Sequence, residues 1–349
     1  MKFDYIFSVL TAFALTAFLL IILRPVAFHI GLIDQPDERK QHAGAVPLTG
    51  GIAMFMALCL AILTLDISIS WLRAFFAGSL ILIFTGILDD LHELSTSARF
   101  IAQIIATTIM AVFGGVVLND FGYLLSNNFV AETGWFAIPV TVFSAIGVIN
   151  ALNMLDGIDG LAGSIALVSV AAMAVISFFA GDTNSLLILG LFASVLIAFL
   201  IFNLRCNQER CSLVFMGDAG SMFIGFVLSW FLIYLSQGDA RAMAPVTALW
   251  LFAVPLNETL TMMIRRVRNR RSPFSADREH LHHMMELAGF SKHMSLLFIV
   301  SASVVFAAIG LLGHFLQISE PIMFYSFLMI FATYLALIRR FWVVLRNKT

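Results

Sequence analysis

Long apolar runs separated by short polar segments continue along the chain from end to end. Runs of about 20 apolar residues cross a hydrocarbon core as helices, and the chain lacks the alternating segments of about ten residues typical of membrane β-barrels. The pattern predicts an all-α polytopic membrane protein with about eleven transmembrane helices, near residues 5–28, 48–65, 71–88, 99–118, 135–153, 161–180, 186–202, 219–236, 245–263, 294–313 and 322–340. The first run is long for a signal peptide, so we predict an uncleaved span.

Composition supports this class. Of 349 residues, 60% are hydrophobic and 12% are charged, and the mean hydropathy is +0.97. This charged fraction is about half that of an average soluble domain. The net charge of −1 gives no indication of a nucleic acid partner. Because no soluble segment or internal repeat stands out, we predict a single integral-membrane domain over residues 1–349.

The positions of lysine and arginine predict the orientation. Basic residues crowd the connections after odd-numbered spans and the C-terminal tail, as in IRRVRNRR at residues 264–271. The opposite connections and the N-terminus hold only Lys2, Arg73 and Arg241. Since positive residues are retained on the cytoplasmic side, we predict an outside N-terminus and a cytoplasmic C-terminus.

The acidic motifs DDLHELS, NMLDGIDG, FMGDAGS and DREHLHH all fall on the predicted cytoplasmic face. A transporter should instead place ionisable residues near the middle of the bilayer, on broken helices. Acids gathered on one face are suited to chemistry between a water-soluble substrate and a lipid-borne one.

Two aspartate pairs lie on this face. Asp89 and Asp90 end the third span, where adjacent carboxylates oppose the helix macrodipole and need a positive partner. We interpret them as part of a phosphate and metal site, the alternative being a solvated helix end. In DGIDG, Asp156 and Asp159 share one face if the segment is helical, and the glycines let the backbone approach a ligand. The alternative is a plain turn between helices.

Two further motifs supply polar groups. Asp218 in GDAGS opens the eighth span, where the free N–H groups of a helix start attract an anion. An ordinary N-cap explains this residue equally well. HLHH supplies His280, His282 and His283 next to Arg278, which suits phosphate contact, zinc ligation or a plain surface loop. The neighbouring arginines favour phosphate.

Carboxylates alone would repel phosphates, so their concentration indicates a divalent cation between the two. Mg²⁺ is held by one or two carboxylates together with substrate phosphate oxygens, and it neutralises charge on a reacting phosphoryl group. The residues therefore predict metal-dependent phosphoryl transfer from a soluble phosphoanhydride to a lipid.

In order and spacing, NALNMLDGIDGLAG, DDLHELS, FMGDAGS and DREHLHH resemble the polyprenyl-phosphate N-acetylhexosamine-1-phosphate transferases over about residues 30–345. PVTALW and SPFSADREHLHH favour the branch that joins UDP-GlcNAc to undecaprenyl phosphate over the peptidoglycan branch. The resemblance implies a helical bundle in the bacterial inner membrane, often dimeric, with its active site on the cytoplasmic side. It also implies Mg²⁺, with Mn²⁺ as a substitute. The product would be undecaprenyl-diphosphate-GlcNAc, the first lipid-linked intermediate of a cell-surface polysaccharide such as O-antigen, with UMP released.

By motif, the resemblance implies catalytic carboxylates, substrate-binding side chains and a metal ligand. The implied catalytic carboxylates are Asp89, Asp90, Asp156 and Asp159. The implied substrate-binding residues are Asn153, Asn203, Arg278, His280, His282 and His283, and the implied metal ligand is Asp218. The first pair resembles the residues of the lipid-phosphate step, whereas DGIDG and the histidines resemble the sugar-nucleotide side.

One motif departs from the family. Where PLxD is expected, this chain has Asn257 followed by Glu258, so the role of the aspartate is either lost or taken by Glu258. Sugar specificity is therefore open to another UDP-N-acetyl amino sugar. The rivals from other classes are a CDP-alcohol phosphotransferase, whose longer acidic pattern is absent here, and a transporter or lipid flippase.

Overall fold

The structure, a computed structural model, describes residues 2–35, 44–65, 67–68, 70–204, 212–270, 272 and 280–346. Within these residues the chain forms thirteen α-helices and one short antiparallel sheet. The elements are α1 (Lys2–Ile30), β1 (Ile33–Asp34), β2 (Val46–Pro47), α2 (Gly50–Ile62), α3 (Arg73–His92), α4 (Thr96–Gly114), α5 (Ala137–Leu155), α6 (Leu161–Ala180), α7 (Thr183–Asn203), α8 (Gly217–Tyr234), α9 (Pro245–Leu251), α10 (Ala253–Arg268), α11 (Leu281–Leu287), α12 (Lys292–Phe315) and α13 (Glu320–Arg346).

The helices confirm the predicted class. In the described part of the chain, nine are long and apolar enough to cross a membrane, namely α1, α3, α4, α5, α6, α7, α8, α12 and α13. Each of the eleven predicted segments contains a helix, but α2 has only 13 residues. The exact number of spans and the orientation of the N-terminus stay predictions.

Helix α8 forms the centre of the bundle. It is apolar on all sides, as a helix enclosed by others must be. Of its 18 residues, 83% are buried, compared with 11% of the most apolar 18-residue stretch of α13. It packs against α2, α3, α5 and α6. Its first turn thereby lies beside the ends of α3 and α5, from which two of the acidic motifs project.

Small residues allow the backbone of α8 to approach α2 and α3 closely. A methyl group added at Gly51 would lie 2.2 Å from the backbone nitrogen of Gly220, and one added at Gly86 would lie 2.2 Å from Cα of Ala219. Neither distance is sterically allowed, and the atoms involved belong to the backbone. The small residues of GDAGS are therefore required by helix packing.

The segment before α8 is bonded to the segment before α2. The backbone N–H of Phe215 donates to the carbonyl of Pro47 at 2.9 Å, and the carbonyl of Phe215 accepts from Gly50 at 2.9 Å. Gly51 donates to the carbonyl of Met216 at 3.0 Å. These bonds fix the point at which α8 begins.

Two helices with a sharp bend between them occupy the predicted span 245–263. Helices α9 and α10 meet at Phe252 with a bend of 82°. Pro255 explains the position, because in a continuous helix its ring would clash with the carbonyl of Leu251. That carbonyl instead accepts a hydrogen bond from the Ser169 hydroxyl at 2.7 Å.

Candidate active site

The predicted aspartates gather where α3 and α5 end and α8 begins. We call this region the acidic end, defined by Asp89, Asp90, Asp156, Asp159 and Asp218. Direct hydrogen bonds join Asp90 to the start of α8 and Asn153 to Asp218. The motifs that contain Asp90, Asn153 and Asp218 follow one another at intervals of roughly 65 residues, and the fold brings them together.

Asp89 and Asp90 have different partners, because adjacent residues of a helix point about 100° apart. The buried carboxylate of Asp89 accepts from the guanidinium of Arg99 at 3.0 Å and from the backbone N–H of Leu94 at 2.8 Å. For Asp89 this confirms the prediction that acids at a helix C-terminus need a positive partner. The alternative of a solvated helix end does not describe Asp89.

The carboxylate of Asp90 bonds to the first turn of α8. It accepts from the backbone N–H of Asp218 at 2.9 Å and from that of Ala219 at 3.4 Å. The first N–H groups of a helix lack partners within the helix, and here a residue of another helix satisfies them. The interpretation of Asp218 as an ordinary N-cap was wrong, because the N-cap position is Met216 and has no side-chain bond.

The side chain of Asp218 is held by α5. The amide of Asn153 donates to Asp218 Oδ1 at 2.6 Å, and the same amide nitrogen lies 2.8 Å from the hydroxyl of Ser221. One helical turn earlier, Asn150 donates to the side chain of Gln103 on α4 at 2.7 Å. The end of α5 is thus pinned to both α4 and α8.

The DGIDG segment is a series of turns between α5 and α6, so its carboxylates do not share a helical face as the sequence suggested. Asp159 accepts a short hydrogen bond from the hydroxyl of Ser212. The same hydroxyl oxygen lies 2.7 Å from the backbone carbonyl oxygen of Asn203. The second aspartate of the loop is therefore attached to the segment that leads into α8.

Asn203 supports this loop from beneath. Its side chain is buried, accepts from the backbone N–H of Gly160 at 2.7 Å and donates to the carbonyl of Val214 at 2.9 Å. Both functional groups of the amide thus bond to backbone that shapes the site. Its predicted contact with substrate stays a prediction.

The crowding of acids changes the acidity of Asp156. Although the residue as a whole has exposed surface, desolvation by the surrounding protein, and then the charges of Asp218 and Asp159, raise its pKa to about 7. Such a shift reflects first the cost of burying a carboxylate and then the cost of placing other carboxylates beside it. A cation bound among them would remove this cost.

The histidine motif lies against the DGIDG loop. A methyl group added at Gly157 would lie 2.2 Å from Nε2 of His282, so only glycine leaves room for this ring. The ring centroids of His280 and His282 are 5.7 Å apart, and those of His282 and His283 are 4.2 Å apart. His280 and His282 are 7% and 1% exposed. A plain surface loop was therefore the wrong interpretation for these two, and Arg278 lies outside the described residues.

His282 is neutral at physiological pH. Burial, and then the charges of His283, His280 and Lys292, lower its pKa to about 3. Neither ring nitrogen has a hydrogen-bond partner among the described residues. A neutral imidazole in this position has one donor and one acceptor to offer.

The amino-acid sequence is similar to those of known proteins. The sequence profile of glycosyl transferase family 4 matches residues 72–236. An undecaprenyl-phosphate alpha-N-acetylglucosaminyl 1-phosphate transferase of Escherichia coli K12 is 36% identical over 340 residues, which cover 97% of this chain and 92% of the relative. Proteins of the same name from Yersinia pestis and Haemophilus influenzae are each 38% identical, covering 94% and 95% of this chain and 89% and 94% of the relatives. The chain belongs to glycosyl transferase family 4.

Membership of this family confirms the resemblance inferred from the four motifs. The profile match includes Asp89, Asp90, Asp156, Asp159 and Asp218. The histidine motif follows the match, and its place in the site rests on the contact between His282 and Gly157.

Asp218 is the predicted metal ligand, and its surroundings can be compared with the ligand sets that zinc and magnesium use. In the part of the chain that the structure describes, no three His, Cys, Asp or Glu side chains are grouped to hold an ion. Protein zinc sites use three or four such ligands, whereas Mg²⁺ is held by one or two carboxylates and completes its shell with phosphate and water. Asp218, fixed by Asn153 beside other carboxylates, fits this second pattern.

Sequence reasoning missed several residues that organise the site. Arg99 and Ser212 were not predicted as site residues, and Ser221 was considered only as part of an ordinary N-cap with Asp218. Arg99 follows Asp89 by ten residues across a turn, so a search for basic residues near the acid pair would have found it. The serines carry no such signal, because hydroxyl groups are common in loops and at helix starts.

Proposed function

We propose that the protein transfers N-acetylglucosamine 1-phosphate from UDP-GlcNAc to undecaprenyl phosphate, forming undecaprenyl-diphosphate-GlcNAc and UMP. The observation that carries the proposal is the convergence of Asp90, Asn153 and Asp218 at one end of an apolar bundle. The names of the full-length relatives support this choice of substrates. The polysaccharide eventually built would be a surface polymer such as O-antigen.

In this reaction an oxygen of the lipid phosphate attacks the sugar-bearing phosphorus of UDP-GlcNAc. The bond from that phosphorus to the UMP oxygen breaks, and UMP leaves with the electron pair. One diphosphate is lost and one is formed, so the equilibrium constant should be near unity. A phosphate monoester has its second pKa near 6, so the acceptor is mostly a dianion at neutral pH and needs little activation.

We assign Asp89 and Asp90 to orienting the acceptor phosphate or taking its last proton, rather than to a covalent intermediate. Both carboxylates are already held by hydrogen-bond donors, Asp89 by Arg99 and Asp90 by the first turn of α8. Hydrogen bonds to a carboxylate stabilise its negative charge and so lower its nucleophilicity. Arg99 supplies a positive charge beside the same carboxylate.

The metal that we propose is Mg²⁺, with Mn²⁺ as a substitute, and Asp218 is the residue that would hold it. Bound there, it would neutralise charge on the diphosphate. Asn153 keeps the Asp218 carboxylate in place by its bond to Oδ1. The histidine motif, on the far side of Gly157, would contact the sugar nucleotide.

The membrane arrangement is part of the proposal. The sugar nucleotide is in water and the acceptor is in lipid, so the acidic end should face the cytoplasm at the bacterial inner membrane. The excess of Lys and Arg on that side supports this orientation. A homodimer is expected from the resemblance.

The decisive experiment is UMP release by the purified protein with undecaprenyl phosphate and a panel of UDP-sugars. We expect release that requires both UDP-GlcNAc and the lipid, needs Mg²⁺, and reverses when UMP is added. If UMP were released only with another UDP-N-acetyl amino sugar, that sugar nucleotide would be the donor in place of UDP-GlcNAc. Substrate counter-flow across sealed vesicles without UMP would instead establish a transporter.

A further inference from the structure

A second buried carboxylate lies outside the acidic end, where α10, α11 and α13 meet. Glu258 is 2% exposed. It accepts from the backbone N–H of Leu281 at 2.8 Å and from the hydroxyl of Tyr334 at 2.7 Å, and its Oε1 lies 3.3 Å from Nδ1 of His280. The Glu258 carboxylate thus contacts the start of α11 through Leu281, α13 through Tyr334, and the histidine motif through His280.

This arrangement satisfies two demands at once. A buried carboxylate is costly unless hydrogen bonds compensate for the water it has lost. Helix α11 has no side-chain cap of its own, since its N-cap residue His280 makes none. Glu258 accepts the first N–H of α11 and thereby takes the place of that cap.

The contact also sets the chemistry of His280. When Nδ1 carries the proton and donates it to Glu258, the tautomer and ring direction are fixed and Nε2 remains for another partner. The His280 ring is stacked nearly parallel to His282, with an interplanar angle of 4°. Glu258 therefore influences two histidines, one by a bond and one through the stack.

A cavity of about 380 Å³ lies between α10, α11, α12 and α13, and its lining includes Asn257, Leu281 and Tyr334. Leu281 and Tyr334, which both bond to Glu258, therefore border the same space.

We propose that Glu258 is a positioning residue for the histidine motif, with Tyr334 on the last helix holding the carboxylate in place. The consequence for catalysis rests on the proposed function. Of the two outcomes considered for the PLxD departure, this one assigns the role to Glu258. Neither residue touches the reacting atoms; both act through His280 and the start of α11.

The first test needs no activity. Hydrogen exchange of the full-length protein, followed by mass spectrometry, reports the protection of residues 281–287. We expect Tyr334→Phe to raise exchange in α11 about tenfold, the effect of losing one hydrogen bond to a charged group, and Glu258→Gln to raise it further. Tyr325→Phe is the matched control, since its hydroxyl bonds to the carbonyl of Leu125 at the other end of α13. Exchange in α8 should not change in any variant.

The second test is kinetic. With the histidines on the sugar-nucleotide side, Glu258→Gln should lower kcat/KM for UDP-GlcNAc about tenfold and leave KM for the lipid unchanged, and Tyr334→Phe should do the same more weakly. A purely structural role would instead lower the folded fraction and leave both KM values alone.

The outcomes separate the two proposals. Wild-type exchange of α11 in both Tyr334→Phe and Glu258→Gln would overturn the positioning role, whatever the activity. An absence of UMP release by the wild-type protein would overturn the proposed function and leave the exchange result standing. If Glu258→Gln does not fold, the comparison of Tyr334→Phe with Tyr325→Phe decides.

Discussion

The carboxylate of Asp90 accepts the backbone N–H of Asp218 at 2.9 Å. A residue at the end of α3 thereby completes the first turn of α8, and the candidate acid and the candidate metal ligand become neighbours. Loss of Asp90 would consequently affect both the stability of α8 and the position of Asp218.

Substitution of Asp90 should measure its contribution to protein stability separately from its contribution to the position of Asp218. Asp90→Ala removes both acceptors of the α8 N–H groups and should cost about 1 kcal/mol of stability, as loss of an N-cap does. Asp90→Asn keeps one accepting oxygen and should cost less. Thermal unfolding of the detergent-purified variants measures this, and equal midpoints for the two variants would contradict the capping role.

Asp218→Asn should separate metal binding from folding. The amide has nearly the same size, but it lacks the charge that a divalent cation needs. We expect a folded protein that loses most of its turnover and needs more Mg²⁺. Asp182→Asn is the control, because Asp182 is a true N-cap, bonded to Ser185 at the start of α7. Turnover near wild type in folded Asp218→Asn protein would move the metal to Asp156 or Asp159.

Gly157→Ala should disturb the contact between the loop and the histidine motif. The new methyl group would lie 2.2 Å from the His282 ring, so the ring must move. We expect UMP release to fall more than tenfold, since a displacement of about 1 Å can cost 100-fold in rate. Gly147→Ala on α5 is the control, because no atom lies within 4 Å of its added methyl group. Equal activity of the two variants would show that the contact is unimportant.

His282 should make the protein sensitive to acid. Its folded pKa is about 3, whereas an unfolded histidine titrates near 6.5. Between these values the unfolded state binds more protons, so stability rises with pH and is lost as pH falls below about 6.5. His282→Gln should therefore lose less thermal stability than the wild type on acidification. Equal losses of thermal stability in the wild type and in His282→Gln would contradict this role of His282.

Much of this site could be predicted from the sequence because its parts are local. Asp156 and Asp159 follow the end of a predicted helix, Asp218 opens another, and glycine content marks both places. The length and spacing of apolar runs likewise predicted the long helices, but they predicted neither the short helix α11 nor the break at Phe252, although Pro255 is a local signal for that break.

The contacts through space could not be predicted in the same way. Nothing local indicates that Asp90 caps α8, 128 residues further along the chain. The same holds for His282 against Gly157, and for Tyr334 against Glu258. Each depends on how whole helices are arranged, to which many residues contribute small amounts.

The close contacts of Gly51, Gly86 and Gly220 bear on how evolution can vary this end of the protein. Selection must retain these glycines because no side chain fits between the backbones, and it must retain the aspartates if they handle phosphate and metal. In an alignment of relatives both groups would be invariant, for unrelated reasons. Invariance here is therefore an ambiguous sign of catalysis, and a glycine substitution that abolishes activity would report the fit of α2 and α3 on α8.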